Sequence, residues 1–525
     1  MFQDRKLVQV IKSGNYTEMR ELHLGYLNYM EYIQKNRRGL CLLRQAFRGL
    51  DSLQILDIRF FNGGQMTDSD LYHIARALKK TSGLKTVILH LLDCPQVTDK
   101  GLCEISQSLR RLNSLETLAL KFNNSQGVTS TGLDHLAKTV KRLGSGLLSL
   151  SLIFNKATLA AKEGLENLSE VTKNLSSLQH LNFDLSKHAN FSGFGEHLKS
   201  VKSLKSLRLG FRDCDEVKDR DLKDLSQGLG ELVQLENVCF DFSGCKDITG
   251  KGLGFLNRAL TQAKNLKDLS LTFWNCKKLT STGKDSIGEA LKNFSCLNKI
   301  DLRCTNCPKI SDKELININN SLKMLSCLKH ISLNVCFCEK VTDNGLISFY
   351  EVFKSFPLLL SVDLVFTKCP GITDKGLEHI GKGLKDLRLL KKLTLHFTYW
   401  SKISDLGLEY IARGLEQLIS LENISLSFGD CPEVTDTGLK KILSCLKNSV
   451  DLENIRLYFV SCPKTTDASF DSISDVLKRL NHLNRIEIYF NQSPGITDAG
   501  LEEIRQKLKK VICSKNARIL VNGES

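Results

Sequence analysis

A leucine recurs along the chain at a nearly constant interval, and this period constrains the fold more than any other feature. The interval is 31 residues, except for one of 32 residues and one of 26 residues. Self-similarity at a fixed period of about 20–50 residues is typical of repeat proteins, in which each repeat packs only against its neighbours. We number this leucine position 0 of each repeat; it occurs as Leu53, Leu84, Leu115, Leu147, Leu178, Leu204, Leu235, Leu266, Leu297, Leu328, Leu359, Leu390, Leu421, Leu452 and Leu483.

The residues that follow position 0 predict a β-strand. Apolar residues occur at +3, +5 and usually +7, as in Leu269, Leu271 and Phe273 after Leu266. Alternation with a period of two residues is typical of a strand that buries one face. The side chains at +2, +4, +6 and +8 are therefore expected to face solvent.

The second half of each repeat predicts a helix, and its clearest copies are CPGITDKGL at 369–377 and CPEVTDTGL at 431–439. The Thr or Ser at +14 is a favoured N-cap residue, and the Asp at +15 complements the positive end of the helix dipole. Apolar residues at +18, +21, +25 and +28 form one buried stripe of a helix. Each repeat is thus predicted to be a strand, a turn and a helix.

The pattern LxxLxL followed by CxxITDxGL resembles the leucine-rich-repeat family, and in particular the cysteine-containing class found in F-box leucine-rich-repeat proteins and their relatives. The resemblance covers about residues 22–521. It implies an α/β fold, a curved leucine-rich-repeat solenoid (horseshoe) with a parallel sheet on the concave face and helices on the convex face. The repeats are longer than is usual in that class. Long repeats also occur in ribonuclease-inhibitor-like proteins, so we expect strong curvature.

The period divides the chain into three predicted segments. Residues 1–52 form an N-terminal capping segment with a degenerate repeat, residues 53–513 hold fifteen leucine-rich repeats, and residues 514–525 form a degenerate C-terminal cap. Degenerate terminal repeats are typical of caps, because the end faces of the array meet water.

Counting by the period also predicts the strand register at both ends. It places Leu22 at position 0 and Leu27 at +5 of the first capping repeat, and Ile519 at +5 and Val521 at +7 of the last one. Between Leu178 and Leu204 the interval of 26 residues is five shorter than 31, and SKHANFSGF replaces the turn motif. We therefore expect a late or shortened helix in this repeat.

The eighteen cysteines include a column at +10 that could be taken for a metal ladder. The chain has no apolar run long enough for a transmembrane segment or a secretory signal, so we expect a cytoplasmic protein with reduced thiols. Trp400 and Gly63 occupy the same column, which a metal site would not tolerate. We therefore interpret the column as small buried side chains that fill the turn; it includes Cys214, Cys245, Cys276, Cys307, Cys338 and Cys369.

Part of the net charge of +15 recurs at one position, since a basic residue stands at +26, in the last turn of the predicted helix, in thirteen of sixteen repeats; Gly230, Thr261 and Glu416 are the exceptions. The favoured interpretation is that these side chains complement the negative end of the helix dipole. The alternative is a convex basic stripe that binds an acidic protein surface. The stripe consists of Arg48, Lys79, Arg110, Lys141, Lys173, Lys199, Lys292, Lys323, Lys354, Lys385, Lys447, Lys478 and Lys509.

The candidate partner-binding residues are tyrosines, arginines and a tryptophan on the predicted concave face. The richest cluster is C-terminal, where the two tyrosines are expected to lie side by side on neighbouring strands with the arginines beside them. Tyr, Trp and Arg often dominate interface energetics. A second, central candidate is a tryptophan and an arginine. The residues are Arg456, Tyr458, Arg485, Tyr489, Trp274 and Arg303.

These observations predict a non-enzymatic protein–protein interaction module or scaffold that binds a protein partner on its concave face. No catalytic or metal-ligating residues and no cofactor are expected, because no nucleophile–base arrangement or phosphate-binding loop can be assembled. No nucleic-acid partner is expected either, since the concave face lacks a run of basic residues with stacking aromatics. Two alternatives stay open: a ubiquitin-ligase substrate adaptor without an F-box, and a structural component of a cytoskeletal or ciliary assembly.

Overall fold

The computed structural model describes residues 19–28, 50, 52–154, 162–184, 186, 193–279, 288, 291–292, 294, 296–399, 402–470, 476, 479–480, 482–512 and 518–521. The chain forms two compact units. The first comprises residues 1–245 and 258–266, and the second comprises residues 246–257 and 267–525.

The described part of the first unit contains a parallel sheet in which each strand pairs with the next one along the chain. Thr117 pairs with Ser149 and His180 pairs with Ser206, which reproduces the leucine intervals of 32 and 26 residues. The strands are β1 (Glu21–Asn28), β2 (Ile55–Phe61), β3 (Thr86–Leu91), β4 (Thr117–Phe122), β5 (Ser149–Ile153), β6 (His180–Asp184), β7 (Ser206–Gly210) and β8 (Asn237–Asp241).

The described strands of the second unit also pair in parallel, each with the next one along the chain. From β10 to β16 every pairing joins residues 31 positions apart, as Ser361 with Lys392. The strands are β9 (Asp268–Trp274), β10 (Lys299–Thr305), β11 (His330–Asn334), β12 (Ser361–Val365), β13 (Lys392–His396), β14 (Asn423–Ser427), β15 (Asn454–Tyr458), β16 (Arg485–Tyr489) and β17 (Arg518–Val521).

Helices alternate with these strands, which confirms the prediction of an α/β fold with one parallel strand in each repeat. None of the described helices has the length and apolar character that a membrane crossing requires. The helices are α1 (Asp68–Leu78), α2 (Asp99–Leu109), α3 (Ser130–Leu143), α4 (Lys162–Val171), α5 (Phe194–Leu198), α6 (Asp219–Leu229), α7 (Gly250–Leu260), α8 (Asp312–Leu322), α9 (Asp343–Ser355), α10 (Asp374–Leu384), α11 (Asp405–Leu415), α12 (Asp436–Cys445) and α13 (Asp498–Ile512).

The core lies between the sheet and the helices. Strand residues at +3, +5 and +7 are buried, and most of their neighbours are at least partly exposed on the other side of the sheet, with Asp57, Ser427 and Glu487 among the buried exceptions. In the second unit the +7 phenylalanines form a stack whose successive ring centroids are 5.8–6.1 Å apart. This offset stacking adds to the free energy of burying the rings. The stack consists of Phe366, Phe397, Phe428, Phe459 and Phe490.

In many repeats the Thr-Asp-x-Gly motif ties one repeat to the next, through a contact that we call the aspartate bridge. Thr373 donates from its backbone N and its Oγ1 to the two carboxylate oxygens of Asp343 in the preceding repeat, both at 2.7 Å, and Gly376 N donates to the same carboxylate at 3.0 Å. A Cβ at Gly376 would lie 2.6 Å from this carboxylate, which explains the glycine at +17. The bridge recurs at Asp68–Thr98, Asp99–Thr129, Asp312–Thr342, Asp374–Ser404, Asp405–Thr435, Asp436–Thr466 and Asp467–Thr497.

The predicted N-cap role of the +14 residue is confirmed at several helices. Thr373 Oγ1 accepts a hydrogen bond from Lys375 N at 3.2 Å, and equivalent bonds cap α2, α3, α9, α11 and α12. The aspartate at +15 does lie in the first turn, where it complements the helix dipole. Its additional role as an acceptor for the following repeat was not predicted.

The short repeat between Leu178 and Leu204 has the shortened helix that its sequence predicts. Helix α5 has 5 residues, whereas α6 in the next repeat has 11. It begins after Gly193, which occupies the N-cap position and has no side chain to accept a hydrogen bond there. The missing residues thus fall in the turn and the first part of the helix.

The predicted register is wrong at both ends of the array. Leu22 pairs with Leu56 at +3 rather than with position 0, and a register shift after Leu24 follows. This irregularity lets the apolar residues of β1 pair with the +3, +5 and +7 columns of β2. At the other end, Ile519 pairs with Ile486 at +3 instead of +5.

The shift at the C-terminal end has a physical reason. Helix α13 has 15 residues, against 11 in α10, so the last strand is reached later along the chain. Because side chains alternate with a period of two, a shift of two residues keeps the same faces buried. Hydrophobic alternation alone therefore does not distinguish the two registers.

Candidate functional site

The candidate site lies in the second unit, on the face of the sheet opposite the buried strand residues, which we call the open sheet face. Tyr458 of β15 and Tyr489 of β16 are in register on this face. Their ring centroids are 4.8 Å apart and the ring planes differ by 3°. The prediction that the two tyrosines lie side by side is confirmed.

A buried carboxylate holds the two arginines of the site. Glu487 lies between them, and only 4% of its side chain is exposed. Arg456 Nε donates to Glu487 Oε2 at 3.2 Å. Arg485 is in ionic contact with the other carboxylate oxygen, without hydrogen-bond geometry. Glu487 thereby fixes both arginines on the N-terminal side of the tyrosine pair, and both arginine side chains stay partly exposed.

Glu487 also affects Tyr458. Burial of the phenol and the negative charge of Glu487 raise the pKa of Tyr458. The hydroxyl therefore stays protonated near neutral pH and can donate a hydrogen bond. Sequence reasoning did not include Glu487, although it shares the +4 column with Arg456 and follows Arg485 by two residues.

His396 extends the aromatic surface on the other side of Tyr458. Its strand, β13, is separated from β15 by β14, which carries the small residue Ser427 in the same register. The rings of His396 and Tyr458 approach across this gap, with centroids 6.2 Å apart in an edge-to-face arrangement. His396 Nε2 lies 2.9 Å from Ser425 Oγ, and burial lowers the pKa of the imidazole, which favours its neutral form. The shared +6 column was the sequence signal that could have included His396.

The two central candidates are not brought into direct register. Trp274 pairs with Thr305 across the sheet, whereas Arg303 pairs with Thr272. Trp274 is 47% exposed. Arg303 makes a two-point contact with Asp301, with Nε–Oδ1 at 3.0 Å and Nη2–Oδ2 at 3.1 Å. Trp274 and the Arg303–Asp301 ion pair therefore lie on neighbouring strands, offset by two positions.

The cysteine column at +10 is buried and takes part in the contacts between repeats. Cys369 Sγ donates to the backbone oxygen of Val335 at 3.0 Å, and Cys338 donates to that of Cys304 at 3.2 Å. Burial raises the pKa of both thiols to about 12, so they are protonated near neutral pH. These contacts support the structural interpretation of the column. Trp400 lies outside the described residues.

The basic residues at +26 lie at the C-terminal ends of the helices, where the dipole interpretation requires them. Lys79 also forms an ion pair with Glu104, with Nζ and Oε2 3.6 Å apart. Arg48 and Lys478 lie outside the described residues. The residues that occupy a helix C-cap position are Lys79, Arg110, Lys199, Lys323 and Lys385.

Across the part of the chain that the structure describes, no three His, Cys, Asp or Glu side chains converge in a way that would hold a metal ion. No family model matches the chain, and no curated protein is detectably similar to it in sequence. The strand, turn and helix of each repeat nevertheless define the class. The protein has a leucine-rich-repeat-like α/β repeat architecture.

Proposed function

We propose that the chain is a non-enzymatic module that binds a protein partner on the open sheet face around Tyr458 and Tyr489. The observation that carries this proposal is the stacked tyrosine pair, which is preceded on the same two strands by two arginines that contact a buried glutamate. Stacked rings offer a large contact area at a low cost in side-chain entropy, and positioned guanidinium groups offer directed hydrogen bonds.

The repeat class and the biological role of the chain are also part of this proposal. The CxxITDxGL turns favour the cysteine-containing class of leucine-rich repeats, whose members often bind proteins. An adaptor role in a ubiquitin ligase and a structural role in a cytoskeletal or ciliary assembly are the other outcomes of a partner search. Copurification with the tagged full chain, followed by mass spectrometry, separates ligase subunits, tubulin or axonemal proteins, and other partners.

The test compares captured proteins between variants. Tyr458→Ala and Tyr489→Ala should each weaken binding of the partner by more than about 1 kcal/mol, so that less of it is captured, with little change in melting temperature. Tyr410→Ala is the matched control, because Tyr410 lies on helix α11 and not on the open sheet face. It should retain the partner.

Two results would contradict the proposal. The first is capture of the same proteins by all three variants. The second is a marked fall in melting temperature in the two sheet-face variants without loss of affinity, which would mean that the tyrosines shield the end of the sheet. The search would then move to Trp274 and Arg303.

A further inference from the structure

The turn after each strand contains a residue in the left-handed backbone conformation. This residue stands at +9, and its φ is positive in every repeat where the structure describes it. A Cβ disfavours this conformation, which Gly, Asn and Asp tolerate best. Most repeats follow this preference, with Asn62, Asp93, Asn124, Asp213, Gly244, Asn275, Asn306 and Asp430.

Three consecutive repeats depart from the preference and place large side chains at this strained position. They are Phe337, Lys368 and Tyr399, with φ of 56°, 55° and 66°. Phe337 is 43% exposed and Tyr399 is 52% exposed, so packing in the core does not offset the strain. Strained residues that the fold does not need tend to mark functional positions. We call the three residues the rim cluster.

The rim cluster is organised around its lysine. Lys368 Nζ lies 4.4 Å from the ring centroid of Tyr399 and 5.0 Å from that of Phe337. A cation within about 6 Å of a ring centroid is attracted to the ring face. The ammonium group is thereby held between two exposed rings, and the three turns present one continuous surface.

The charge on the three turns of the rim cluster is mainly positive. Lys340 and Lys402 are exposed at +12 of these turns, where Glu339 is an acidic neighbour. Lys309 is exposed in the turn before them, and the turn after them carries Asp430 and Glu433. Together with Lys368, the lysines form a basic strip that contains two exposed aromatic rings. Such a strip is complementary to carboxylates that are interspersed with apolar side chains.

We propose that the rim cluster is a docking surface for an acidic, partly apolar polypeptide segment of a partner protein. A carboxylate binds the Lys368 ammonium from its open side, and apolar side chains of the segment cover the rings of Phe337 and Tyr399. Single-stranded nucleic acids bind aromatic sites by stacking bases on ring faces. Here Lys368 occupies a face of each ring, which favours a polypeptide. The surface does not include the tyrosine pair of the open sheet face.

The experiment replaces the rim cluster by the residue that the turn itself prefers. The variant F337N/K368N/Y399N removes the rings and the charge while it relieves backbone strain. The matched control is S461N/Q492N, which changes the same column, also at positive φ, outside the cluster. The probe is a fluorescein-labelled peptide of alternating Glu and Leu, compared with a peptide of alternating Gln and Leu by fluorescence anisotropy. Oligouridine RNA and phosphatidylserine vesicles are tested alongside.

The full chain and the control variant should bind the acidic peptide in preference to the neutral one, and the rim variant should bind it at least about tenfold more weakly. Both variants should keep or raise the melting temperature, because Asn favours the left-handed conformation. Absence of peptide binding to the full chain, unchanged binding by the rim variant, or tighter binding to RNA or vesicles would each overturn the proposal. The variant Y489A should still bind the peptide, which separates this test from that of the proposed function.

Discussion

The short repeat of the first unit and the regular repeats of the second unit are joined to their neighbours in different ways. In the regular repeats, Thr373 donates to Asp343 of the preceding repeat. In the short repeat the direction is reversed, because Gly193 N and Gly195 N donate at 3.0 Å and 3.3 Å to Asp224 of the following repeat. Loss of five residues removed the turn motif, and a carboxylate from the next helix replaces its cap.

In the short repeat, close backbone contact between helices contributes more to the interface with the next repeat than it does in the regular repeats. A Cβ at Gly195 would overlap the backbone at Asp224, and a Cβ at Gly228 would overlap the backbone at Gly195. A similar approach occurs between Gly381 and Gly414, but there aspartate bridges stand beside it. The comparison teaches that a repeat can lose its side-chain bridge if its helix comes close enough to the next one.

The largest effect is expected where backbone contact is tightest. Gly228→Ala should destabilise the protein by about 2–3 kcal/mol, because the methyl group meets backbone atoms that cannot move aside. The matched control is Gly230→Ala, where the nearest atom is 3.6 Å from the new Cβ and φ is −62°. The control should leave the stability unchanged or raise it by about 0.5 kcal/mol. Urea unfolding measures both, and equal stability of the two variants would contradict the comparison.

A smaller loss is expected at a regular junction. Asp343→Ala removes the acceptor of three hydrogen bonds from Thr373 and Gly376, and should cost about 1.5–3 kcal/mol. Lys375→Ala on the same turn is the control and should change stability by less than about 0.5 kcal/mol. A double-mutant cycle with Thr373→Val should give a coupling of about 1 kcal/mol. Additive effects would show that the bridge does not act as a unit.

The smallest effect concerns the thiols of the regular repeats. Cys338 and Cys369 are buried and have a pKa of about 12. Since only the thiolate reacts, these two thiols should remain mostly unlabelled at both pH 7 and about pH 9, whereas exposed thiols should be alkylated readily at the higher pH. Cys296 and Cys327 are exposed and should react first, followed by Cys103 and Cys239, which are partly exposed. Peptide mapping by mass spectrometry follows each site, and fast labelling of Cys369 would contradict the structural interpretation.

The period predicts most of the fold because the same pattern of apolar residues recurs in each repeat. From Leu53 to Leu483 the leucine intervals give the strand register, including the intervals of 32 and 26 residues. The period predicts the wrong register for β1 and β17. Each of these strands pairs with a single described strand, and the alternation of apolar residues permits a shift of register. The aspartate bridge was missed because it joins residues that only stacking brings together.

The candidate site was predicted in part. Columns of solvent-facing residues placed Tyr458 beside Tyr489, because register follows from the period. They did not reveal that Glu487 is buried, since burial on the open sheet face depends on the arginines that cover it. The rim cluster had a sequence signal, namely Phe, Lys and Tyr in three consecutive repeats of a column that otherwise holds mostly Asn, Asp and Gly. The signal can be interpreted only with the structure, which shows that the backbone at this position has a positive φ.

The aspartate bridge bears on how such an array can lengthen. A block such as residues 359–389 contains both halves of the bridge, Asp374 for the block after it and Thr373 with Gly376 for the block before it. A tandem copy of one block would therefore form complete junctions on both sides without a new interface. The short repeat lacks this property, because its acceptor, Asp224, belongs to the following block. Gene duplication could copy it successfully only together with its neighbour.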